Sequence, residues 1–211
     1  MIELLIGTGN TGKLKEIIAV LQGLPYQFRS LEERQISSSP RENDSDYIQS
    51  AYIKASYYAR KSGLMTLAED SGISIDALPG ELGVTTRRWG AGESASDSEW
   101  IVYFLDALKD VPDAKRGARF VCHACLVDAQ GEVLYESVGE TAGYITRELR
   151  APILPGLPIS SCFLPDTSSK VYAALTAEEK AILSHRGKAI QKIRTFLETH
   201  TSKQNITFLN K

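Results

Sequence analysis

The stretch IELLIGTGNTGK, residues 2–13, determines how the fold begins. Residues 2–6 form a short apolar run that stops at Gly7, which is typical of a buried β-strand. Beyond the glycine-rich loop, apolar residues recur at positions 14, 17, 18 and 21, the spacing of one helix face. Residues 26–31 favour a second strand. The chain therefore opens as strand, loop, helix and strand, like a βαβ unit.

Downstream of this unit, helix and strand signals alternate as far as residue 197. No linker or internal repeat interrupts them. The sequence therefore predicts a single domain over 1–211, with α and β elements around one sheet and 201–211 as a tail. A helix is predicted over 47–61, stopped by Gly63, and then a strand over 64–68 that runs into a turn. The next predicted helix opens on the capping box of Ser96 and Glu99, and a hairpin of 119–127 and 132–138 follows it. After a structured loop over 151–169, one last helix runs from the capping box of Thr176 and Glu179 to residue 197.

Composition excludes several classes of protein. The 211 residues include 24 Lys+Arg against 26 Asp+Glu, so the net charge is −2, without the basic excess of a protein that follows a nucleic-acid backbone. Three cysteines are too few for a disulfide framework and favour a reducing compartment. The N-terminus lacks signal-peptide features, and the apolar runs are too short to span a membrane. We therefore expect a cytoplasmic protein without nucleic-acid or membrane partners.

The loop from Gly7 to Lys13 joins a strand to a helix, so its backbone amides gather at a helix N-terminus, where phosphate binds readily. Its glycines match the dinucleotide fingerprint, with Glu32 at 20 residues after Gly12. They also match most of a Walker A loop, but Leu14 stands where that loop needs Ser or Thr. The third match is the Thr-Gly-Asn-x-Gly-Lys loop of a nucleotide pyrophosphatase. The loop alone leaves these three patterns open.

An acidic centre follows the next predicted strand. Glu69 and Asp70 offer the hard oxygen ligands that suit Mg²⁺. Neighbouring strand residues face opposite sides of a sheet, so both acids serve one site if the chain turns at Ser71-Gly72, as we expect. Of the earlier acids, those at 44 and 46 are typical helix caps, which leaves Glu42 as a further candidate. One acid of this set can orient Mg²⁺ while another deprotonates water.

Near the C-terminus, Lys180 and the run Ser184-His185-Arg186-Gly187 group hydrogen-bond donors that suit the O6 and N7 edge of a purine. Taken alone, a solvated basic helix face explains them better. Cys122 and Cys125 are three apart on a predicted strand, so they face opposite ways and are core residues rather than metal ligands. Trp89 and Trp100 are interpreted as packing residues.

Together these segments resemble the inosine triphosphate pyrophosphatase family, whose members hydrolyse non-standard purine nucleoside triphosphates. The resemblance runs from Leu5 to about Ile193, with the segments in order and suitably spaced. The matching segments are 8–13 (TGNTGK), 68–72 (AEDSG), 76–78 (DAL), 119–120 (RF), 143–145 (GYI), and 179–180 (EK) with 184–187 (SHRG).

The resemblance implies a two-lobed α/β fold on a long mixed β-sheet flanked by helices, with the nucleotide cleft between the lobes. It also implies a homodimer, Mg²⁺, and hydrolysis between the α- and β-phosphates to a monophosphate and pyrophosphate. Asp70 would be the general base. The other implied roles are phosphate binding by Thr8, Gly9, Asn10, Gly12, Lys13, Lys54 and Ser71, metal binding by Glu42, Glu69 and Asp70, and base binding by Leu157, Ser160, Lys180, His185 and Arg186.

The chain departs from the family in the loop before its last helix. The usual Gly-Phe-Gly-Tyr-Asp-Pro is GLPISS at 156–161, so Leu157 replaces a stacking aromatic residue and Ser160 replaces a base-reading Asp. Because the phosphate loop and acids are kept, we expect a working pyrophosphatase with a shifted or relaxed base preference. The alternatives are a nucleotide-binding protein without turnover and a dinucleotide-binding oxidoreductase.

Overall fold

A mixed sheet of six strands organises the chain, in the order β2-β1-β3-β4-β5-β6. The computed structural model describes residues 2–41, 46–86, 89–92 and 94–209, with side chains as far as residue 200. The strands are β1 (Ile2–Ile6), β2 (Tyr26–Arg29), β3 (Met65–Ile75), β4 (Gly117–Val127), β5 (Val133–Ile145) and β6 (Phe163–Pro165). The helices are α1 (Thr11–Leu21), α2 (Tyr47–Ser62), α3 (Asp97–Ala107), α4 (Ala177–Leu183) and α5 (His185–Leu209).

Strand β1 pairs in parallel with both β2 and β3, and the remaining pairs are antiparallel. This arrangement confirms the βαβ opening, since β1, α1 and β2 form a parallel crossover. It also confirms the predicted hairpin, whose strands β4 and β5 extend beyond the predicted limits of 119–127 and 132–138. The result is the long mixed sheet that the resemblance implied.

Two hydrophobic clusters lie along this sheet and give the molecule its two lobes. The first packs α1 and α5 on β1, β3 and β4, and includes buried Cys122. The second gathers α3, the ends of β3 and β5, and β6. Helix α2 covers the opposite face, where buried Cys125 lies. The two cysteines are therefore free core residues on opposite faces of β4, as predicted.

Local signals explain where most helices begin and end. The Asp46 carboxylate accepts from the amide of Ile48 at 2.8 Å at the start of α2, and Gly63 ends that helix with a φ of 68°. A capping box opens α3 at Ser96 and another opens α4 at Thr176. These caps confirm the sequence prediction.

Glu42, which is predicted as a metal ligand, lies outside the described residues.

The structure corrects the predicted turn at Ser71-Gly72. Strand β3 continues through both residues to Ile75, because β4 pairs with it from Thr66 to Ile75 without a break. The ladder of backbone hydrogen bonds therefore holds this segment extended.

The predicted last helix is also corrected, because it is two helices. Ser184 is extended and ends α4, and its hydroxyl accepts from the Gly187 amide at 2.9 Å inside α5. A serine in this position caps a new helix, which changes the direction of the chain. Helix α5 then continues to Leu209, where the sequence suggested a tail over 201–211. Within the described residues, none of the helices is long and apolar enough to cross a bilayer.

Candidate active site

The phosphate-loop candidate lies between the end of β1 and the start of α1. Asn10 caps α1, since its Oδ1 accepts from the Lys13 amide at 3.0 Å. The Thr8 hydroxyl accepts from the Asn10 amide at 3.2 Å. These two bonds fix the loop at the helix N-terminus, as the glycine pattern predicts.

This loop borders a large cleft of about 900 Å³. The cleft brings together most of the residues predicted for the phosphates and the metal. Its predicted lining residues are Thr8, Gly9, Asn10, Lys13, Lys54, Glu69, Asp70 and Ser71.

Both acids reach this cleft without a turn in the chain. Strand β1 pairs with β3 only from Met65 to Leu67, so it no longer covers this edge of β3 beyond Leu67. Glu69 and Asp70 follow on opposite faces of β3, and the cleft extends around the open edge to both. Both carboxylates therefore reach one cleft because β1 ends here, and not because the chain turns at Ser71-Gly72.

Each acid has its own lysine. Lys13 Nζ lies 2.8 Å from Glu69 Oε1, and Lys54 Nζ lies 2.7 Å from Asp70 Oδ1. Burial would raise the pKa of Glu69, but the charges of Lys13, Arg186 and Lys54 outweigh it and hold that pKa well below its usual range. Burial prevails at Asp70 and raises its pKa despite Lys54. The two neighbouring carboxylates therefore differ in acidity.

The donor set of the cleft suits a divalent cation. Asp70 Oδ2 is buried and has no hydrogen-bond partner among the described residues, so it is a carboxylate oxygen available to a cation or a water. Glu69 lies beside it. The described part of the chain contains no group of three or more acidic, His or Cys side chains placed to hold a metal ion.

A smaller cavity of about 110 Å³ continues from the cleft and shares Asn10, Lys13 and Ser71 with it. Four of the five residues predicted to contact the base line this cavity. They are Leu157, Ser160, His185 and Arg186. We call this space the base cavity.

Lys180, the fifth, lies outside the base cavity. Its Nζ bonds to Glu16 Oε1 at 2.9 Å, and Arg186 Nη1 bonds to Glu16 Oε2 at 2.5 Å. Arg186 Nη2 also donates to the Ser71 hydroxyl at 2.9 Å. Glu16, which the motifs did not single out, therefore fixes Arg186. Its position one helical turn after Lys13 on the same face of α1 was the available signal.

His185 is a buried, neutral histidine at the start of α5. Its ring stacks on Phe120 at 4.5 Å between centroids, and its backbone amide donates to the Tyr172 hydroxyl at 3.2 Å. Burial and the nearby charge of Arg186 lower the pKa of His185 well below its usual value. Neither ring nitrogen has a partner among the described residues and both are closed off from solvent, so the neutral ring holds one unused donor and one unused acceptor at the wall of the cavity.

Gly12, which is predicted to contact phosphate, lies close to the loop of the base cavity. A Cβ at Gly12 would lie 2.6 Å from the Pro155 carbonyl oxygen and 2.8 Å from the side chain of Leu157. Gly12 therefore allows the loop of the base cavity to approach α1. Asn10 Nδ2 strengthens this contact by donating to the Gly156 carbonyl at 2.9 Å.

The Ham1 family model matches residues 4–196. The chain belongs to the Ham1 family. It is 33% identical over 198 residues to the dITP/XTP pyrophosphatase of Dictyoglomus thermophilum, covering 93% of this chain and 95% of that protein. The dITP/XTP pyrophosphatase of Bacillus subtilis is 35% identical over 198 residues, with 94% and 98% covered. The solved HAM1 protein of Coxiella burnetii has a TM-score of 0.78 at 32% identity, covering 94% of this chain and 100% of that one.

Membership of the Ham1 family confirms the resemblance and the fold that it implied. It also decides against the dinucleotide-binding oxidoreductase, even though Glu32 of that fingerprint lines the cleft. Leu157 and Ser160, two of the residues at which 156–161 departs from the expected family loop, both line the base cavity of this Ham1 protein.

Proposed function

We propose that this protein hydrolyses non-standard purine nucleoside triphosphates such as dITP, ITP and XTP to a monophosphate and pyrophosphate, removing them from the nucleotide pool. Family membership makes it a nucleoside triphosphate pyrophosphatase, and relatives named dITP/XTP pyrophosphatase support the substrate class. One observation carries the proposal: two lysine–carboxylate pairs border the phosphate loop, in a cleft next to a cavity lined by a histidine whose ring has no hydrogen-bond partner in the described part of the chain.

The chain would bind the triphosphate through the loop at the start of α1 and through the two lysines. Lys13 and Lys54 exchange their carboxylate partners for phosphate oxygens, which frees oxygens of Glu69 and Asp70. Those oxygens, with Glu42 as the third expected ligand, would hold Mg²⁺. Bound there, Mg²⁺ would neutralise charge on the phosphates.

Asp70 is placed to accept the proton of the attacking water. Its Oδ2 has no hydrogen-bond partner among the described residues, and burial raises its pKa, which favours proton transfer to it. The water oxygen bonds to the α-phosphorus as the bond to the α–β bridging oxygen breaks. Pyrophosphate leaves with that oxygen, and the other product is the monophosphate.

His185 and Arg186 would select the base. A neutral His185 offers one donor and one acceptor, and Arg186 lies fixed beside it by Glu16. These groups fit a base that carries an oxo group at its six-membered ring. The changes at Leu157 and Ser160 support a base preference shifted or relaxed from that of the family.

We also propose a homodimer that works in the cytoplasm without a nucleic-acid partner. Three free, buried cysteines support a reducing compartment, and the net charge of −2 supports the absence of a nucleic-acid backbone contact. The homodimer rests on the family resemblance.

Pyrophosphate release tests the proposal. Purified protein is incubated with Mg²⁺ and, in turn, ITP, XTP, dITP, dUTP, GTP and ATP. We expect release from ITP, XTP and dITP that chelation of Mg²⁺ abolishes, and a kcat at least about 100-fold lower in Asp70→Asn. The matched control is Asp106→Asn, since Asp106 is exposed on α3 and should leave the rate unchanged.

Three outcomes would contradict the proposal. Binding of these nucleotides without any release indicates a nucleotide-binding protein without turnover. Release from dUTP or ATP alone moves the substrate class away from oxo-purines. An unchanged rate in Asp70→Asn removes Asp70 from the proton transfer.

A further inference from the structure

Trp100 of α3 is buried in the second hydrophobic cluster, with 1% of its surface exposed, and it also lines the base cavity. Its indole Nε1–H is closed off from solvent and has no hydrogen-bond partner among the described residues, so a ligand reaches it only when the base cavity opens at this point. A buried tryptophan N–H normally has a partner, because leaving one unpaired costs free energy. The other tryptophan is only partly buried and still has a partner, since Trp89 Nε1 donates to Glu81 Oε2 at 3.3 Å.

Several contacts hold Trp100 beside the altered loop. Its ring stacks on Phe104, with the ring centroids 5.1 Å apart. One turn earlier, Asp97 at the start of α3 accepts from the Gly156 amide at 2.6 Å, which ties α3 to the loop that carries Leu157. An aromatic surface is therefore present in the base cavity although the loop itself has none. It comes from a different element of the fold.

We propose that Trp100 is a base-contacting residue that helps to determine specificity, its Nε1–H donating to a ring oxo group of the bound purine. This inference rests on the proposed function. The indole N–H is a donor only, so it is satisfied by an acceptor and repels an amino group placed at the same point. A pocket with a buried donor of this kind discriminates strongly against a ligand that cannot accept, because the donor then stays unpaired.

The first test removes the N–H and keeps an aromatic ring. Trp100→Phe is compared with Trp89→Phe, whose indole lies outside the base cavity and is already paired. For each we measure kcat/KM on ITP, on XTP and on the triphosphate of unsubstituted purine riboside, which has no oxo group. We expect Trp100→Phe to lose about tenfold or more on at least one oxo-purine and less than about twofold on unsubstituted purine. Trp89→Phe should leave all three unchanged.

Equal losses on all three substrates would overturn the inference, since they would assign Trp100 to packing alone. An unchanged Trp100→Phe would overturn it as well. The proposed function is tested separately, because it fails when the wild-type protein releases no pyrophosphate from any substrate.

A binding measurement decides the inference where turnover is absent or Trp100→Phe does not fold. In Trp89→Phe the only tryptophan is Trp100, since the chain has two. We expect its fluorescence emission to change on titration with inosine monophosphate, and to change less with the monophosphate of unsubstituted purine riboside. Identical responses to both, or none to either, would overturn the inference.

Discussion

The cleft and the base cavity differ in how their polar side chains are paired. In the cleft both lysines are already paired, Lys13 with Glu69 and Lys54 with Asp70. In the base cavity three buried nitrogens have neither a hydrogen-bond nor an ion-pair partner among the described residues, namely Nε1 of Trp100 and both ring nitrogens of His185. Arg186 Nε makes no hydrogen bond there and has the Glu69 carboxylate at 3.6 Å. The charged groups of the cleft are paired before any ligand enters, although Asp70 Oδ2 has no hydrogen-bond partner among the described residues. The base cavity instead contains neutral polar groups that the described part of the chain leaves unsatisfied.

This difference separates two tasks of a pyrophosphatase. In the proposed mechanism phosphate oxygens would replace carboxylates in the cleft, an exchange of one charged partner for another that is the same for every triphosphate. The nitrogens of the base cavity become paired only when a base of suitable chemistry arrives, so the free energy gained there differs from base to base. Affinity for the phosphates and choice of the base are therefore located in adjacent but distinct regions.

The largest expected effect comes from removing the lysine of the phosphate loop. Lys13→Met should lower kcat/KM by about 100-fold or more, because a donor to the phosphates is lost. The factor should be the same for ITP and XTP, which share their phosphates. Chemical denaturation should also show a loss of about 3 kcal/mol, because the buried Glu69 carboxylate loses its nearest positive charge.

Lys15→Met provides the matched control. Lys15 lies on the same helix but is exposed and does not line the cleft, so both measurements should stay at the wild-type level. A Lys13→Met variant whose loss differs between ITP and XTP by more than about fivefold would break the separation of the two regions.

A smaller effect is expected when the loop of the base cavity regains an aromatic residue. Leu157→Phe should lower KM for oxo-purine triphosphates about fivefold, near the lower end of what stacking on one base contributes, because Trp100 already supplies an aromatic surface. The kcat should not change, since Asp70 and its surroundings are untouched. Steady-state kinetics on ITP and XTP measure both quantities.

Leu154→Phe is the control for this gain. Leu154 belongs to the same loop and bridges Leu157, but it lines a different cavity. An equal fall of KM in both variants would assign the gain to the loop as a whole. A rise of KM in Leu157→Phe would show that the base cavity has no place for a ring at this position.

Local patterns were sufficient for much of the fold. The apolar spacing of α1, the capping boxes at Ser96 and Thr176, and the glycine that ends α2 act within one or two helical turns. The turn expected at Ser71-Gly72 was wrong because pairing with β4, about 50 residues away, sets the length of β3. The single last helix was wrong because a serine within a helical pattern can equally cap a new helix.

For the candidate site, too, local sequence patterns do not show contacts between distant parts of the chain. Motifs located the phosphate loop, Glu69 with Asp70, and His185 with Arg186, and all of them line the cleft or the base cavity. Sequence reasoning missed Glu16, which meets Arg186 across 170 positions. This contact joins α1 and α5, two helices far apart in the chain, so only the folded sheet creates it.

The smallest expected effect is on the pH dependence of stability, and it concerns His185. Burial lowers the pKa of His185 in the folded protein below the unfolded value of 6.5. The unfolded chain therefore binds a proton that the folded protein does not bind. Stability should therefore fall as the pH drops from about 7 to about 5, by up to about 2 kcal/mol. Lowered carboxylate pKa values, such as that of Glu69, act in the same direction but mainly below about pH 4.5. Urea denaturation at several pH values measures the slope of the free energy of unfolding against pH.

His185→Gln should flatten this slope, because glutamine does not titrate. His123→Gln should retain it, since His123 lies on β4 outside the base cavity. Adding inosine monophosphate should raise the stability of the wild-type protein while leaving the slope between about pH 7 and 5 unchanged, because folded His185 is already neutral in this range. A slope that His185→Gln leaves unchanged would show that the unpartnered ring does not limit stability, and the contrast between the two regions would then concern binding alone.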